Sequence, residues 1–155
     1  MNHAVSIVIF DPEDPETLRS LSESLMEYDS VLIPYASEEV LRAAIGQYPV
    51  DVFILKLQKP FEQAFNLLSE IQMRAPQAQV IFVAQFDEDI LWAWMDVIQR
   101  GAYEFLPKPL DAEGLKLHVV NAVKNHHPLR VRKRPAAESV KLLDTVPRNS
   151  ISAAC

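Results

Sequence analysis

Residues 101–111 read GAYEFLPKPLD and combine a helix stop, a short strand and a lysine between two prolines. Gly101 follows a segment of helical period, and glycine at that place lets a helix end. Residues 103–106 are aromatic or apolar apart from Glu104 and are typical of a short strand. Lys108 therefore stands at the carboxyl end of a strand, where α/β proteins gather their ligands.

Four further apolar runs rich in β-branched residues precede this one, at residues 5–10, 31–34, 52–57 and 80–84. Several are continuous rather than alternating, as expected for strands that are covered on both faces. Apolar residues recur at helical spacing between and after the runs: Leu18, Leu21, Leu25; Val40, Leu41, Ala44, Ile45; Phe65, Leu68, Ile71; Leu91, Met95, Ile98; Leu115, Val119, Val123. Strands that alternate with helices predict right-handed crossovers and a five-stranded parallel sheet between helical layers, an α/β fold.

The 155 residues are enough for one domain and too few for two of ordinary size. After His127 the pattern ends in a polar, proline-interrupted stretch, so we predict a domain over residues 1–127 and a disordered tail over 128–155. No apolar run is long enough to cross a membrane and no signal peptide is recognisable, which favours the cytoplasm.

Charge is divided unevenly between these two parts. The net charge is −6, but residues 128–155 carry six basic and two acidic residues, whereas the remainder carries nine basic and nineteen acidic ones. An acidic body disfavours nucleic acid, because duplex binding depends on neutralising phosphates. The basic cluster at residues 130–134 could touch nucleic acid or an acidic partner, although a solvated linker is the simpler interpretation.

The segment 101–111 closely resembles the fifth strand and following turn of receiver domains in bacterial two-component response regulators, especially activators of the nitrogen-regulation type. The resemblance extends over about residues 4–127. Asp51 opens the third strand as in that family, Pro60 follows it, and Leu67, Leu68, Ile71 and Pro76 match the third helix and its turn. It implies a flavodoxin-like, CheY-like sheet of order 2-1-3-4-5 with five helices, and a cis bond between Lys108 and Pro109.

The chain departs from the family at the positions that carry its chemistry. Lys56 stands where the family has its phospho-accepting aspartate, and Ala84 stands at the switch Ser/Thr. An amine can neither ligate a hard cation nor form an acyl phosphate. The acidic pair after the first strand is also altered, with Asp11 and Asp14 separated by a proline-containing loop, so we expect magnesium binding to be absent or weak.

Two arrangements of Lys56 remain open from the sequence. Its ammonium could pair with Asp11 and Asp14 and hold the pocket in one state, because two lysines, 56 and 108, would otherwise repel each other in one pocket. Alternatively, Lys56 could extend to water from an inactive site.

Trp92 and Trp94 lie two residues apart on the fourth helix and cannot share one face. At least one should be near the surface. The family uses the face of its fourth helix, fifth strand and fifth helix for partners or for a second copy, so the resemblance implies a partner or homodimer surface there; both tryptophans could instead cover the sheet edge. Phe105 matches the family's aromatic switch but is expected to be plain packing.

These observations favour a receiver-like protein of a two-component network that binds signalling partners without being phosphorylated or catalysing a reaction. The alternatives are a receiver that accepts phosphate on Asp11 or Asp14, or a fragment of a transcription regulator. Lys56 as a Schiff-base nucleophile lacks a convergent base. The pair His126–His127 has no partner ligands at metal-site spacing, so no metal site is predicted.

Overall fold

The computed structural model describes residues 4–126, which form five strands and five helices in strict alternation. The strands are β1 Val5–Phe10, β2 Ser30–Tyr35, β3 Val52–Lys56, β4 Gln79–Gln85 and β5 Glu104–Lys108. The helices are α1 Pro15–Ser24, α2 Glu38–Ala44, α3 Phe61–Arg74, α4 Glu88–Gln99 and α5 Ala112–His126. The predicted tail, residues 128–155, and His127 lie outside the described residues.

All the strands pair in parallel, and their order across the sheet is β2-β1-β3-β4-β5. This is the predicted doubly wound α/β fold. The core has two parts, one on each face of the sheet: α1 and α5 cover one face, and α2, α3 and α4 cover the other. β3 lies at the centre and buries every residue up to Leu55, which explains why its sequence is continuously apolar.

Helix ends follow the local sequence. The Asp14 and Ser37 side chains accept backbone hydrogen bonds at the starts of α1 and α2, as their residue types predict. Gly46 and Gly101 follow α2 and α4 with positive φ. At Gly101, φ is +109°, a backbone conformation that strains any residue with a Cβ, and an added Cβ would also meet the end of the Gln72 side chain.

The core-facing side of α4 differs from the predicted one. Leu91, Met95 and Ile98 were expected to face the core, but Met95 and Ile98 are 48% and 38% exposed. Buried positions on α4 are Ile90, Ala93 and Val97. The helix is apolar on most of its surface, so helical spacing alone fits two faces, and only packing against the sheet selects one. Val40 of α2 is likewise exposed.

Strand β5 ends later than its apolar pattern indicates. Its pairing with β4 continues through Pro107 and Lys108, so that Lys108 is itself a strand residue opposite Gln85. The Lys108–Pro109 bond is cis, as the resemblance implies, and Lys59–Pro60 is also cis, which the sequence did not indicate. No helix among residues 4–126 has the length and apolarity needed to cross a bilayer.

Candidate functional site

A cavity of about 470 Å³ lies at the carboxyl edge of the sheet, above the ends of β3, β4 and β5. Its walls come from the loop after β1, the first turns of α1, and the residues that end the strands. The lining residues are Glu13, Asp14, Glu16, Thr17, Ser20, Lys56, Gln85, Lys108, Pro109 and Leu110. This is where an open parallel sheet is expected to place its ligands.

Three side-chain contacts at this cavity centre on the ammonium group of Lys108 and its acids. Its Nζ donates to Asp11 Oδ2 at 2.5 Å and to Asp14 Oδ2 at 2.8 Å. Thr17 Oγ1 donates to the same Asp11 oxygen at 2.6 Å. The Lys108 side chain is 10% exposed and that of Asp11 is fully buried. Lysine and acids are therefore held together as one partly buried ionic network, in which the Asp14 side chain is 30% exposed.

The pKa values of Asp14 and Lys108 shift in opposite directions. A hydrogen bond from Lys108 lowers the pKa of Asp14 below 3.8, against the smaller effect of burial. Burial acts to lower the pKa of Lys108, but hydrogen bonds to Asp11 and Asp14 together outweigh it and raise the pKa above 10.5. Both groups therefore stay charged throughout the neutral range.

We expect the contribution of Asp14 to stability to be constant from about pH 5 to about pH 9. Because the folded-state pKa of Asp14 is lowered, its stabilisation is fully present above pH 3.8 and is lost as pH falls through the folded-state pKa. Because the folded-state pKa of Lys108 is raised, its stabilisation is fully present below pH 10.5 and is lost as pH rises through the folded-state pKa. Urea unfolding of the native chain and of Asp14→Asn at several pH values measures this, because asparagine keeps the helix cap. A difference between the two proteins that changes near pH 7 would contradict the assignment.

The position of Lys56 corrects the predicted ion pairing. Its Nζ lies 3.3 Å from Glu13 Oε1, and its side chain is 22% exposed while that of Glu13 is 77% exposed. Asp11 and Asp14, which one of the two arrangements left open by the sequence paired with Lys56, are bound by Lys108. The more buried ammonium takes the acids because an unpaired charge costs most where water is excluded. Lys56 nevertheless lines the cavity, as predicted from its place at the end of β3.

Of the predicted pocket residues, Asp14 and Lys108 line the cavity and Asp11 lies buried against Lys108, whereas Ala84 lies elsewhere. It is 3% exposed and packs in the core beneath α3 and α4, on the opposite face of β4 from the cavity. Gln85, the next residue, lines the cavity instead. Strand alternation could have predicted this. Thr17 was also missed, although it lies in the first turn of α1, three residues after the cap at Asp14.

Magnesium, which the resemblance implies for this pocket, does not fit the residues present. Oxygen ligands are needed, but Asp11 Oδ2 and Asp14 Oδ2 already accept from an ammonium, and a second amine ends β3. Asp11 Oδ1 has no hydrogen-bond partner among the described residues, yet its side chain is fully buried beneath the network. Residues 4–126 contain no cluster of three or more potential metal ligands.

The two tryptophans of α4 lie on opposite flanks of the helix. Trp94 packs on Phe105 of β5 with ring centroids 4.9 Å apart and meets Phe86 edge-on at 6.3 Å. Trp92 is 64% exposed and lies on the other side, over α3 with Phe65. Phe105 is 2% exposed and is part of the core, in accord with a packing role. The exposed Trp92 agrees with the prediction that at least one tryptophan lies near the surface, but it does not belong to the face of α4 that adjoins β5.

Alanine substitution should separate the two tryptophans. Trp94→Ala removes an aromatic stack against the core and should lower the free energy of unfolding by about 2 kcal/mol. Trp92→Ala removes an exposed side chain and should change it by less than about 0.5 kcal/mol. Urea unfolding monitored by far-ultraviolet circular dichroism measures both, and equal losses would contradict the packing described.

No family model matches the chain. Curated proteins with similar sequences include protein-glutamate methylesterase/protein-glutamine glutaminase 2 of Shewanella oneidensis, 25% identical over 95% of this chain and 40% of that protein. Response regulator protein PilR of Pseudomonas aeruginosa is 23% identical over 83% of this chain and 28% of its own length. The DNA-binding transcriptional regulator NtrC of Escherichia coli is 31% identical over 57% of this chain and 18% of its own length. The chain thus spans less than half of each of these relatives.

Solved structures share the fold. A response regulator receiver domain protein from Clostridium thermocellum has a TM-score of 0.63 and 24% identity, over 78% of this chain and 95% of that one. The beryllofluoride-activated NtrC4 receiver domain dimer has a TM-score of 0.67 and 22% identity, over 78% and 98%. Residues 4–126 therefore form a domain with the receiver fold of two-component response regulators.

Proposed function

We propose that this chain is a receiver-like module of a two-component network that binds signalling partners without being phosphorylated. The observation that supports the proposal most is Lys56, an amine at the carboxyl end of the central strand β3 and in the wall of the cavity. The family requires a carboxylate at that position as its phosphoacceptor. An amine there gives no acyl phosphate and repels a cation.

The remaining polar groups of the cavity support a fixed pocket. Lys108, which in the family would meet an incoming phosphoryl group, is bound to Asp11 and Asp14. Ala84 has no hydroxyl group and is turned into the core. Neither Lys108 nor Ala84 is therefore available to report a phosphorylation event to α4. Partner binding then depends on how much of the protein is present and not on its modification.

The proposed partner surface is the flank of α4 next to β5, together with α5. Met95 and Ile98 expose apolar side chains there, and Ile98 lies one turn after Trp94. A second copy of the chain is a candidate occupant, as is another signalling protein. The NtrC4 receiver domain, whose fold is similar, was solved as a dimer. Dimer formation is a property of that protein, just as DNA binding and methylesterase activity are properties of the relatives. For residues 4–126 we propose no enzymatic activity.

Phosphorylation can be tested directly. The native chain and Lys56→Asp are incubated with acetyl phosphate and magnesium, and intact mass is measured before and after mild alkali, which cleaves acyl phosphates. We expect no added phosphoryl group on the native chain. Lys56→Met serves as the matched control for Lys56→Asp, since it removes the amine without adding a carboxylate.

Each outcome has a distinct meaning. An alkali-labile phosphoryl group on the native chain, mapped to Asp11 or Asp14, would contradict the proposal and support the alternative phosphoacceptor. Labelling of Lys56→Asp but not of Lys56→Met would show that this one residue blocks the chemistry. A native chain that gains no phosphoryl group, and whose partner binding is unchanged by the phosphodonor, supports the proposal.

A further inference from the structure

A second cavity, of about 590 Å³, forms a groove between α3 and α4, on the face of the sheet away from α1 and α5. Asp89, Trp92 and Asp96 follow one side of α4 at helical spacing, and Phe61 and Phe65 of α3 form the opposite wall. The volume is typical of ligand sites, which span about 300–1,000 Å³. The proposed signalling role uses the first cavity and the flank of α4 next to β5, so it leaves this groove without a function.

Three aromatic side chains supply the apolar surface of the groove: Phe61, Phe65 and Trp92. Trp92 is 64% exposed, and within residues 4–126 its ring stacks on no other ring and lies under no cation. Tryptophan offers a large rigid contact area and is enriched at the centres of protein interfaces. The groove therefore presents an anchor for a partner.

The charge of the groove indicates what kind of partner fits it. Lys59 is the basic residue of its lining and already pairs with Asp89. Glu62 and Asp96 are exposed, and among the described residues 4–126 neither has an ion-pair partner. Two uncompensated carboxylates thus stand beside the rings. Such a surface is complementary to a cation and repels nucleic acids and anionic lipids.

A guanidinium of the chain itself already lies on one of these rings. Arg100 stacks over Phe65, 4.2 Å from the ring centre, and its backbone is held by Gln72, whose side-chain nitrogen donates to the Arg100 carbonyl oxygen. Arginine suits such a place better than lysine, because its planar group stacks on a ring and still donates to a carboxylate. Trp92 and Asp96 lie one helical turn apart and offer the same combination to an external arginine.

We propose that the α3–α4 groove binds an arginine-bearing peptide segment of a partner protein. The guanidinium stacks on Trp92 and pairs with Asp96, while apolar side chains of the segment pack on Phe61 and Phe65. Asp96 lies well inside α4, so the positive end of the helix dipole does not oppose the cation there. The inference does not depend on Lys56, so it can fail while the proposed signalling role stands.

Titration of the full chain with a blocked tripeptide, acetyl-Arg-Leu-Arg-amide, tests the proposal by NMR. The chain has two tryptophans, so the indole signal that disappears in Trp92→Ala identifies Trp92. We expect this signal and the amide signals of residues 61–65 and 89–96 to shift with the peptide. The same peptide with citrulline in place of both arginines keeps the shape without the charge and should bind at least about fivefold more weakly.

Neutral substitutions in the groove provide the matched comparison. Glu62→Gln with Asp96→Asn removes both uncompensated charges at exposed positions and should weaken binding of the arginine peptide at least about fivefold. Glu23→Gln with Glu39→Gln changes the net charge equally at exposed positions of α1 and α2 and should leave the affinity unchanged. Amide signals outside the groove report that each variant is folded.

Four results would overturn the proposal. The arginine peptide could leave the signals of the groove unshifted, the citrulline peptide could bind equally well, or binding could survive Glu62→Gln with Asp96→Asn. Signals of the groove that change on dilution of the chain alone, and not with the peptide, would mean that a second copy of the chain covers it.

Discussion

Replacing Lys108 by methionine is expected to lower the free energy of unfolding by about 3 kcal/mol or more. The ammonium of Lys108 is the partner of two acids, and the Asp11 side chain is fully buried. Methionine keeps most of the apolar stem, so the loss comes from a carboxylate left in a buried site without its counter-charge. Urea unfolding at neutral pH measures it.

Lys59→Met is the matched control for this substitution. Lys59 also forms an ion pair, with Asp89, but both side chains are more than half exposed. Exposed pairs contribute little to stability, so this variant should unfold close to the native chain. Equal losses for Lys108→Met and Lys59→Met would mean that the pocket network is not the stabilising element described here.

Lys56→Asp is expected to raise the affinity for magnesium by at least about 100-fold, which corresponds to roughly 2.7 kcal/mol. The substitution removes a positive charge from the cavity wall and adds a carboxylate to the wall that Asp14 also lines. At an effective dielectric constant of about 20, one unit charge about 5 Å from a divalent ion changes the ion's energy by roughly 7 kcal/mol, so the expected gain remains even if solvent screening removes more than half of this energy. The fold should tolerate the change because the Lys56 partner, Glu13, is itself exposed.

Titration of amide chemical shifts with magnesium measures this affinity. Lys56→Met should show an intermediate gain, since it removes the repulsion without supplying an oxygen ligand. Identical magnesium affinity in the native chain and in Lys56→Asp would contradict the idea that the amine at the end of β3 determines the cation preference of the pocket.

The fold could be predicted almost completely because its signals are local and redundant. Each strand is a short apolar run, and glycines mark the ends of α2 and α4. The core-facing side of α4 was the exception. Its sequence offers two apolar faces, and the choice between them depends on the tertiary contacts of Trp94 with Phe105, which no helical spacing contains.

The site was predicted in position but not in detail. Strand ends placed Lys56, Lys108 and Asp11 in one region, because carboxyl ends of parallel strands meet at one edge. Which lysine pairs with which acid could not be predicted, since it depends on side-chain burial: Lys108 is 10% exposed and Lys56 is 22% exposed. The absent or weak binding of magnesium, the partner surface on α4, β5 and α5, and the disordered tail over residues 128–155 remain predictions.

We expect the ammonium of Lys108, rather than a metal ion, to be the counter-charge of Asp11 and Asp14 in solution. Selective ¹⁵N labelling of lysine side chains allows the ammonium signals to be observed by NMR. One signal should be protected from exchange with water, vanish in Lys108→Met, and stay unchanged when magnesium is added in large excess. If the Lys108 ammonium instead exchanges as rapidly as that of an exposed lysine, or shifts as magnesium is added, then Lys108 is not the fixed counter-charge of Asp11 and Asp14.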